Sequence, residues 1–321
     1  MAIRRYVPWI TAAVTILIIV LLIRALRRYD LAQVVQSLRE VSFVRLTRAI
    51  AFAAASYVTL TLFDTLAIRY LGCDLPYRKI ALASFTSLSI GHNVGLAALS
   101  SGAIRYRFYT RWGLSPADVA KLIVFCAITV GLGLATLGGI ALLLRPQLAA
   151  ALTGLAPSLT SGLGAACLLV SALWLGVAAA RRKPVRVFRS RVDVPPLRLA
   201  AAQIVVGTMN FAFVAGALHQ AISTVAEVPY PSVAAVYVIG NVAAIASHVP
   251  GGLGVIEAVV VYLLPQQNII GAVILFRIVY YLLPLPIGCI SFIVSEILDR
   301  RRRRQIPAVE ACDHEQPART A

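Results

Sequence analysis

Apolar stretches long enough to cross a lipid bilayer recur along this chain, and they constrain its fold more than any single motif does. Six of them cover residues 8–23, 49–71, 119–144, 159–180, 199–223 and 269–298. A spanning helix needs roughly 20 consecutive, mostly apolar residues, and inside hydrocarbon only a helix or a closed barrel satisfies its own backbone. Because 60% of the 321 residues are hydrophobic and 13% are charged, we expect an all-α polytopic membrane protein with about six full transmembrane helices.

Two further apolar regions, residues 80–104 and 231–264, are interrupted by residues that break helices. The candidate break residues are Gly91, Asn93 and Gly102 in the first region, and Pro250, Gly251, Gly252 and Gly254 in the second. Proline has no backbone N–H to donate, and glycine weakens helix continuity. Each region therefore predicts a broken or re-entrant helical hairpin, and a kinked helix packed through its glycines is the alternative for the second.

The arginines lie mostly between the apolar segments and set the topology. The formal net charge is +17, but arginines in such positions mark cytoplasmic loops and phospholipid-facing collars, so we exclude a nucleic-acid partner. If the loop 181–198 and the run 300–304 are cytoplasmic, region 231–264 enters and leaves from the outer side, and region 80–104 from the inner side. Opposed hairpins of this kind are typical of inverted-repeat transporters, so we expect an inverted repeat.

The same count of arginines in the loops also predicts the domain boundaries and the position of the N-terminal linker. Residues 1–298 form the transmembrane domain, and residues 299–321 form a cytoplasmic tail that is basic at first and then disordered. The first span has arginines on both flanks and no small-residue cleavage site, which indicates a retained span. The count places the arginine-bearing linker 24–48 outside. Either the linker is an interfacial helix, or the orientation of the first half is reversed.

Glu257 is the sharpest candidate functional residue, because a carboxylate at membrane depth is costly and usually has a partner. The candidate partners are Arg277 and Arg105. A structural ion pair and contact with a lipid headgroup both require such a partner, so both roles stay open. His248 lies before the same break and favours a site there. The half-helix that begins with "GLGVIE" has an N-terminal dipole suited to an anion such as a lipid phosphate.

Other candidates surround the first interrupted region. Arg105 directly follows Ser100-Ser101-Gly102, so it is positioned to reach into the hairpin and bind phosphate through two hydrogen bonds. Arg107 lies beside it in a stretch rich in aromatic and basic residues. Asp64 is five residues before Arg69 on one helix. It either pairs with that arginine or faces a cavity.

The sequence contains none of the motifs that indicate a catalytic site. It has no P-loop, no nucleotide-binding glycine pattern, no HExxH and no GxSxG. The five cysteines are scattered singly: Cys73, Cys126, Cys167, Cys289 and Cys312. We therefore expect no catalytic residue, no metal site and no cofactor. Any transport would run on a gradient, on a partner's energy or downhill.

Three blocks of sequence resemble the flippase-like membrane domain of lysylphosphatidylglycerol synthases, above all its stand-alone inner-membrane relatives. The blocks are "SSGAIRYRFYTRWGLS" (100–115), "HVPGGLGVIEAVV" (248–260) and "FRIVYYLLPLPIG" (276–288). The resemblance extends from about Asp64 to Glu296 and rests on the three blocks in this order. The positions it implies as site residues are Arg105, Arg107, Pro250, Gly252, Gly254, Glu257, Arg277 and Tyr280.

The resemblance implies a bacterial plasma-membrane protein with broken helices. In the bifunctional synthases, the membrane part is associated with moving aminoacylated phospholipid between leaflets, and a cytosolic domain makes the lipid. This chain is expected to lack that domain and not to be an enzyme. The expected function is a translocase, or flippase, for phospholipid or another anionic or aminoacylated lipid of the bacterial inner membrane.

Two other classes of function stay open. One is a non-transporting accessory subunit of a lipid-synthesis or envelope-biogenesis complex, which would dock through the basic loop 181–198. The other is an intramembrane lipid-modifying enzyme built on Glu257 and His248, although no recognisable spacing supports it. The expected partners are phospholipids and the membrane, and a lipid-synthesis enzyme and a second copy of this chain remain open as protein partners.

Overall fold

The structure is a computed structural model, and it describes most of the chain between residues 42 and 305. The described ranges are 42–94, 97–147, 150, 154, 156–180, 185–187, 190–192, 194–247, 249, 252–264 and 269–305. The predicted first span 8–23, most of the linker 24–48 and the tail after residue 305 lie outside these ranges. So do three candidate site residues: His248, Pro250 and Gly251.

The described part of the chain is built of helices, with one short β-hairpin in the loop 181–198. The helices are α1 (Phe43–Tyr70), α2 (Tyr77–Val94), α3 (Ala97–Arg111), α4 (Pro116–Leu144), α5 (Pro157–Ala180), α6 (Leu197–Ile222), α7 (Tyr230–Ser247), α8 (Val255–Leu263), α9 (Ile269–Arg277) and α10 (Pro284–Gln305). A π-helical segment, Ile278–Leu282, joins α9 to α10, and strands β1 (Val185–Val187) and β2 (Ser190–Val192) pair antiparallel. We call α9, the π segment and α10 together the terminal rod.

Six of the described helical segments are long and apolar enough to cross a membrane. They are α1, α4, α5, α6, α7 and the terminal rod from Ile269 to Asp299. Five of them coincide with predicted spans, which confirms an all-α polytopic membrane protein. The sixth, α7, was predicted as the first arm of a hairpin. Its 18 residues rise about 27 Å at 1.5 Å per residue, which is close to the thickness of the hydrocarbon core.

Several helices begin at residues that favour a helix start. Ser115 caps α4: its side-chain oxygen accepts a hydrogen bond from the backbone N–H of Asp118 at 3.1 Å, and Pro116 occupies the first turn. A serine cap stabilises the first turn because it satisfies one of the N–H groups that lack a helical partner. Helices α5 and α10 also begin at prolines, Pro157 and Pro284.

The bundle is held together where glycines let helix backbones touch. Helix α4 crosses α6 at Gly133 and Gly207, and it crosses α5 at Gly139 and Gly164. A Cβ at Gly133 would lie 2.6 Å from the carbonyl oxygen of Gly207. Close approach through small residues is how membrane helices gain packing, because lipid supplies no hydrophobic force to bring them together.

Two glycines of α4 give a matched prediction about this packing. We expect Gly133→Ala to lower the free energy of unfolding by about 1–3 kcal/mol, because the added methyl group forces α4 and α6 apart. Gly131→Ala, on the same helix, meets no atom within 4 Å and is expected to raise stability by about 0.5–1 kcal/mol through helix propensity. Thermal unfolding in detergent measures both variants, and equal losses would contradict close packing at Gly133.

The predicted break points of the α2–α3 hairpin lie inside its two helices. Helix α2 continues to Val94 and α3 begins at Ala97, so Gly91, Asn93 and Gly102 are helical and the prediction of a break at these residues is corrected. Gly91 has a packing role instead, since a Cβ there would lie 2.8 Å from the Cβ of Ser101 on the opposite arm.

Candidate functional site

Several of the candidate residues lie around the π segment of the terminal rod. Its wider turn closes with a hydrogen bond from the backbone N–H of Leu283 to the carbonyl oxygen of Ile278, at 2.8 Å. Such segments break the regular ladder and occur frequently at functional sites. Two side chains from other helices bond to its carbonyl oxygens. The Tyr57 hydroxyl donates to Tyr280 at 3.3 Å, and the Asn93 amide donates to Tyr281 at 3.1 Å.

The second interrupted region reaches the same part of the rod. Helix α7 ends at Ser247 and α8 begins at Val255. Between them Gly252 and Gly254 have φ angles of +59° and +84°, a conformation that glycine adopts without the strain of a side chain. Gly252 also packs against α7, since a Cβ there would lie 2.7 Å from the Cβ of Ala244.

Glu257 and Arg277 join this turn to the rod. The Arg277 guanidinium donates from Nε to Glu257 Oε1 at 2.7 Å and from Nη2 to Glu257 Oε2 at 3.0 Å. Its Nη2 also donates to the carbonyl oxygen of Gly252 at 2.7 Å, and the backbone N–H of Gly254 donates to Glu257 Oε2 at 2.9 Å. The structure thus pairs Glu257 with Arg277, one of the two predicted partners. We call this group the Glu257 clamp.

The two members of the clamp differ in exposure. The Arg277 side chain is 2% exposed and the Glu257 side chain is 24% exposed. The Arg277 guanidinium also stacks over the ring of Tyr281, 4.6 Å from its centroid. Charged hydrogen bonds and a cation–π contact thus hold the arginine from several sides, and the carboxylate is the more exposed member of the pair.

Aromatic rings fill the space around the π segment. Tyr280 stacks on Phe276 with ring centroids 5.7 Å apart, and His92 from the tip of the α2–α3 hairpin stacks on Tyr280 at 6.1 Å. The Tyr280 hydroxyl lies 3.1 Å from Ser56 Oγ, which donates to the Asn210 amide oxygen at 2.7 Å. Tyr280, which the resemblance implies as a site residue, therefore lies at the centre of a polar and aromatic core.

Asp64 and Arg105 form a second charged pair in a fully enclosed position. Arg105 Nε and Nη2 donate to the two carboxylate oxygens of Asp64 at 3.0 and 2.7 Å, and Nη1 donates to Ser101 Oγ at 3.3 Å. The Tyr109 hydroxyl donates to Asp64 Oδ2 at 2.7 Å, and the Cys126 thiol lies 3.6 Å from Asp64 Oδ1. Asp64 therefore does not pair with Arg69 and does not face an open cavity. Arg105 is the partner of Asp64 and not of Glu257.

Arg107 lies in a third charged group, at the end of the terminal rod. Arg107 donates from Nε to Glu296 at 2.5 Å, and Arg111 bonds to the same carboxylate and lies 3.4 Å from Asp299. The end of α3 is thus joined to the end of the membrane-length part of the rod. Both segments were predicted to lie on the cytoplasmic side.

Sequence reasoning missed several residues of these groups. Asn210, Tyr109, Cys126 and Glu296 were not among the candidates. Glu296 carries the same signal as Glu257, a carboxylate within an apolar run, "SFIVSEILD". The other three are residue types that are common in membrane helices, so only the folded arrangement distinguishes them.

Comparisons with known proteins agree with the architecture. The family model described as "Lysylphosphatidylglycerol synthase TM region" matches residues 9–288. The chain is 33% identical over 284 residues to the uncharacterized protein slr0712 of Synechocystis sp., covering 87% of this chain and 88% of that one. It is 26% identical over 295 residues to the inner membrane protein YbhN of Escherichia coli, covering 90% of this chain and 92% of that one.

The family match includes the Asp64–Arg105 pair and the Glu257 clamp, and it ends just inside α10. Together with the six membrane-length helices, the similarity to an inner membrane protein describes a multi-pass protein of the bacterial inner membrane. The chain belongs to the family of the lysylphosphatidylglycerol synthase transmembrane region.

Proposed function

We propose that this protein moves a phospholipid, or another lipid with a charged headgroup, between the leaflets of the inner membrane, and that it acts as a translocase rather than as an enzyme. The observation that carries the proposal is the Glu257 clamp. It lies where two interrupted helical regions meet the π segment, and its carboxylate is 24% exposed. Ionisable residues inside membrane proteins are costly and usually mark a pathway for a polar substrate.

The depth of this meeting point supports the proposal. The tip of the α2–α3 hairpin contacts Tyr57 through the ring of His92, with centroids 6.4 Å apart. Tyr57 lies close to the centre of the 28-residue α1. The opposite ends of the two arms lie together, because the Lys79 ammonium is 5.7 Å from the Trp112 ring. A hairpin that opens at one face and ends beside the centre of a spanning helix is the geometry expected of a re-entrant element.

The Asp64–Arg105 pair and the Glu257–Arg277 pair are assigned different roles in this proposal. Arg105 is 5% exposed and Asp64 is 0% exposed, so this pair braces the first hairpin against α1. Glu257 and Arg277 are assigned to binding the lipid headgroup, and the headgroup would contact Glu257 before Arg277. Arg107 lies 26% exposed at the cytoplasmic end, where it would meet headgroups that enter from the inner leaflet.

The test is a leaflet-resolved transport assay in proteoliposomes. Headgroup-labelled phospholipids are followed by quenching from outside, with and without protein. We expect Glu257→Gln to slow translocation by about tenfold or more, because the neutral amide of similar volume loses a charged hydrogen bond worth about 1.5–3 kcal/mol. Identical leaflet exchange of every lipid with and without the protein would refute the proposal.

A matched variant separates transport from an accessory role. Replacing the arginines of loop 181–198 with glutamine removes the basic docking surface and leaves the clamp untouched. A translocase keeps its rate in this variant and loses it in Glu257→Gln. A docking subunit behaves in the opposite way, and a lipid-modifying enzyme changes the lipid mass spectrum instead of the leaflet distribution.

A further inference from the structure

A continuous set of contacts joins the tip of one hairpin to the turn of the other. Asn93, in the last turn of α2, donates to the carbonyl oxygen of Tyr281 at 3.1 Å. The ring of Tyr281 lies under the Arg277 guanidinium, 4.6 Å from ring centroid to Cζ. Arg277 holds both Glu257 and the carbonyl oxygen of Gly252. Tyr281 is therefore bound to one hairpin through its backbone, and its ring contacts the arginine that holds the turn of the other.

Both N–H donors of the Asn93 amide are used in this arrangement. Its two hydrogens go to the carbonyl oxygens of Ser89, at 2.9 Å, and of Tyr281, and a side-chain amide has only two to give. The first bond ties the side chain to its own helix, so the second fixes the distance between α2 and the π segment. Tyr57 holds the preceding carbonyl oxygen, that of Tyr280, in the same way.

We propose that Asn93 is a positioning residue for the Glu257 clamp. By holding the carbonyl of Tyr281, it sets the orientation of the Tyr281 ring and thereby the place of the Arg277 guanidinium above it. The clamp then closes on the turn at Gly252 and Gly254. Displacement of the α2–α3 hairpin releases this turn, so the two hairpins open and close together. The coupling itself does not depend on the proposed function. Only its role in transport rests on that proposal.

A chain of contacts is not by itself evidence of energetic coupling, because coupling requires that a change at one end alters the equilibrium at the other. The backbone N–H of Gly254 supplies a direct reporter, since it donates to Glu257 Oε2 at 2.9 Å. If the clamp loosens, this N–H exchanges with solvent faster. Local opening of this kind is what amide hydrogen exchange measures.

The experiment is hydrogen–deuterium exchange by mass spectrometry on the full chain in lipid nanodiscs. It follows the peptide 252–264 in the native protein and in Asn93→Leu, which keeps the branched shape of the side chain and removes both donors. We expect exchange at Gly254 to become about tenfold faster, the factor that corresponds to roughly 1.4 kcal/mol. Glu257→Gln, which weakens the acceptor itself, is expected to give at least the same increase.

Gln203→Met is the matched control. Gln203 is also a buried amide that donates to a backbone carbonyl of another helix, that of Phe125 at 3.3 Å, but it lies outside this set of contacts. We expect it to lower the unfolding temperature without changing exchange at Gly254. If Asn93→Leu does not fold, Asn93→Ala makes the same test with a smaller change.

The outcomes are decisive without a transport assay. Faster exchange in the Asn93 variant and in Glu257→Gln, but not in Gln203→Met, supports the coupling even if no lipid is moved. Unchanged exchange in the Asn93 variant beside faster exchange in Glu257→Gln overturns it. Equal acceleration in Gln203→Met overturns it as well, because general loosening would then explain the effect.

Discussion

Arg105→Leu is expected to lower the free energy of unfolding by about 3–5 kcal/mol, because it leaves the Asp64 carboxylate buried without its charge partner. Asp64 is 0% exposed, and the remaining donors, the Tyr109 hydroxyl and the Cys126 thiol, are neutral. The expected result is a large fall in the unfolding temperature in detergent, or loss of folded protein on expression.

Two variants decide whether the unpaired charge of Asp64 causes the loss of stability in Arg105→Leu. Combining Asp64→Leu with Arg105→Leu removes both charges and should recover most of the stability, since replacing a buried pair by apolar side chains is often neutral. Arg107→Leu should cost about 1 kcal/mol or less, because Arg107 is 26% exposed and Arg111 still neutralises Glu296. A double variant as unstable as Arg105→Leu alone would show that packing, and not charge, holds this cluster.

Arg277→Met is expected to cost about 2–3 kcal/mol of folding free energy and to slow lipid translocation at least as much as Glu257→Gln does. The variant removes the donors to both oxygens of Glu257 and to the Gly252 carbonyl, and hydrogen bonds to charged groups contribute about 1.5–3 kcal/mol each. The cost stays below that at Asp64 because Glu257 is 24% exposed, whereas Asp64 is 0% exposed.

The control for Arg277→Met is Arg69→Met at the exposed end of α1. A surface substitution of this kind is expected to change stability by about 0.5 kcal/mol or less. Denaturant unfolding and the proteoliposome assay measure the pair. Equal effects at Arg69 and Arg277 would mean that positive charge in general, and not the clamp, is what the protein requires.

The membrane fold was predictable from the sequence because apolar run length is a local property. Helices α4, α5 and α6 begin and end within three residues of the predicted spans. Helix α7 was less predictable, because an 18-residue apolar helix satisfies the requirement for a crossing and for a hairpin arm equally well. Gly91 was assigned to a break because glycine has two uses in membrane helices, interruption and close packing, and only the neighbouring Ser101 distinguishes them.

The candidate site was predictable in part, since a buried carboxylate requires a charge partner wherever it lies. That rule led to Arg277 as a candidate partner of Glu257, and the spacing of Gly254 and Glu257 is also that of a helix cap. The rule does not choose between arginines far apart in the chain. Arg69, five residues after Asp64, lies on another face of α1 because helix neighbours are three or four residues apart. The partner of Asp64 is Arg105, which the tertiary fold brings to it.

The π segment has a consequence for the far end of the terminal rod. Its turn takes in one more residue than an α-helical turn does, and each residue of an α-helix advances the side chains by about 100°. Every side chain of α10 is therefore rotated by about that angle from the direction it would have on an unbroken α-helix. The extra residue turns Glu296 towards Arg107 and Arg111 while Arg277 still faces Glu257. One inserted residue thus sets the angle between the clamp and the Glu296 end of the same rod.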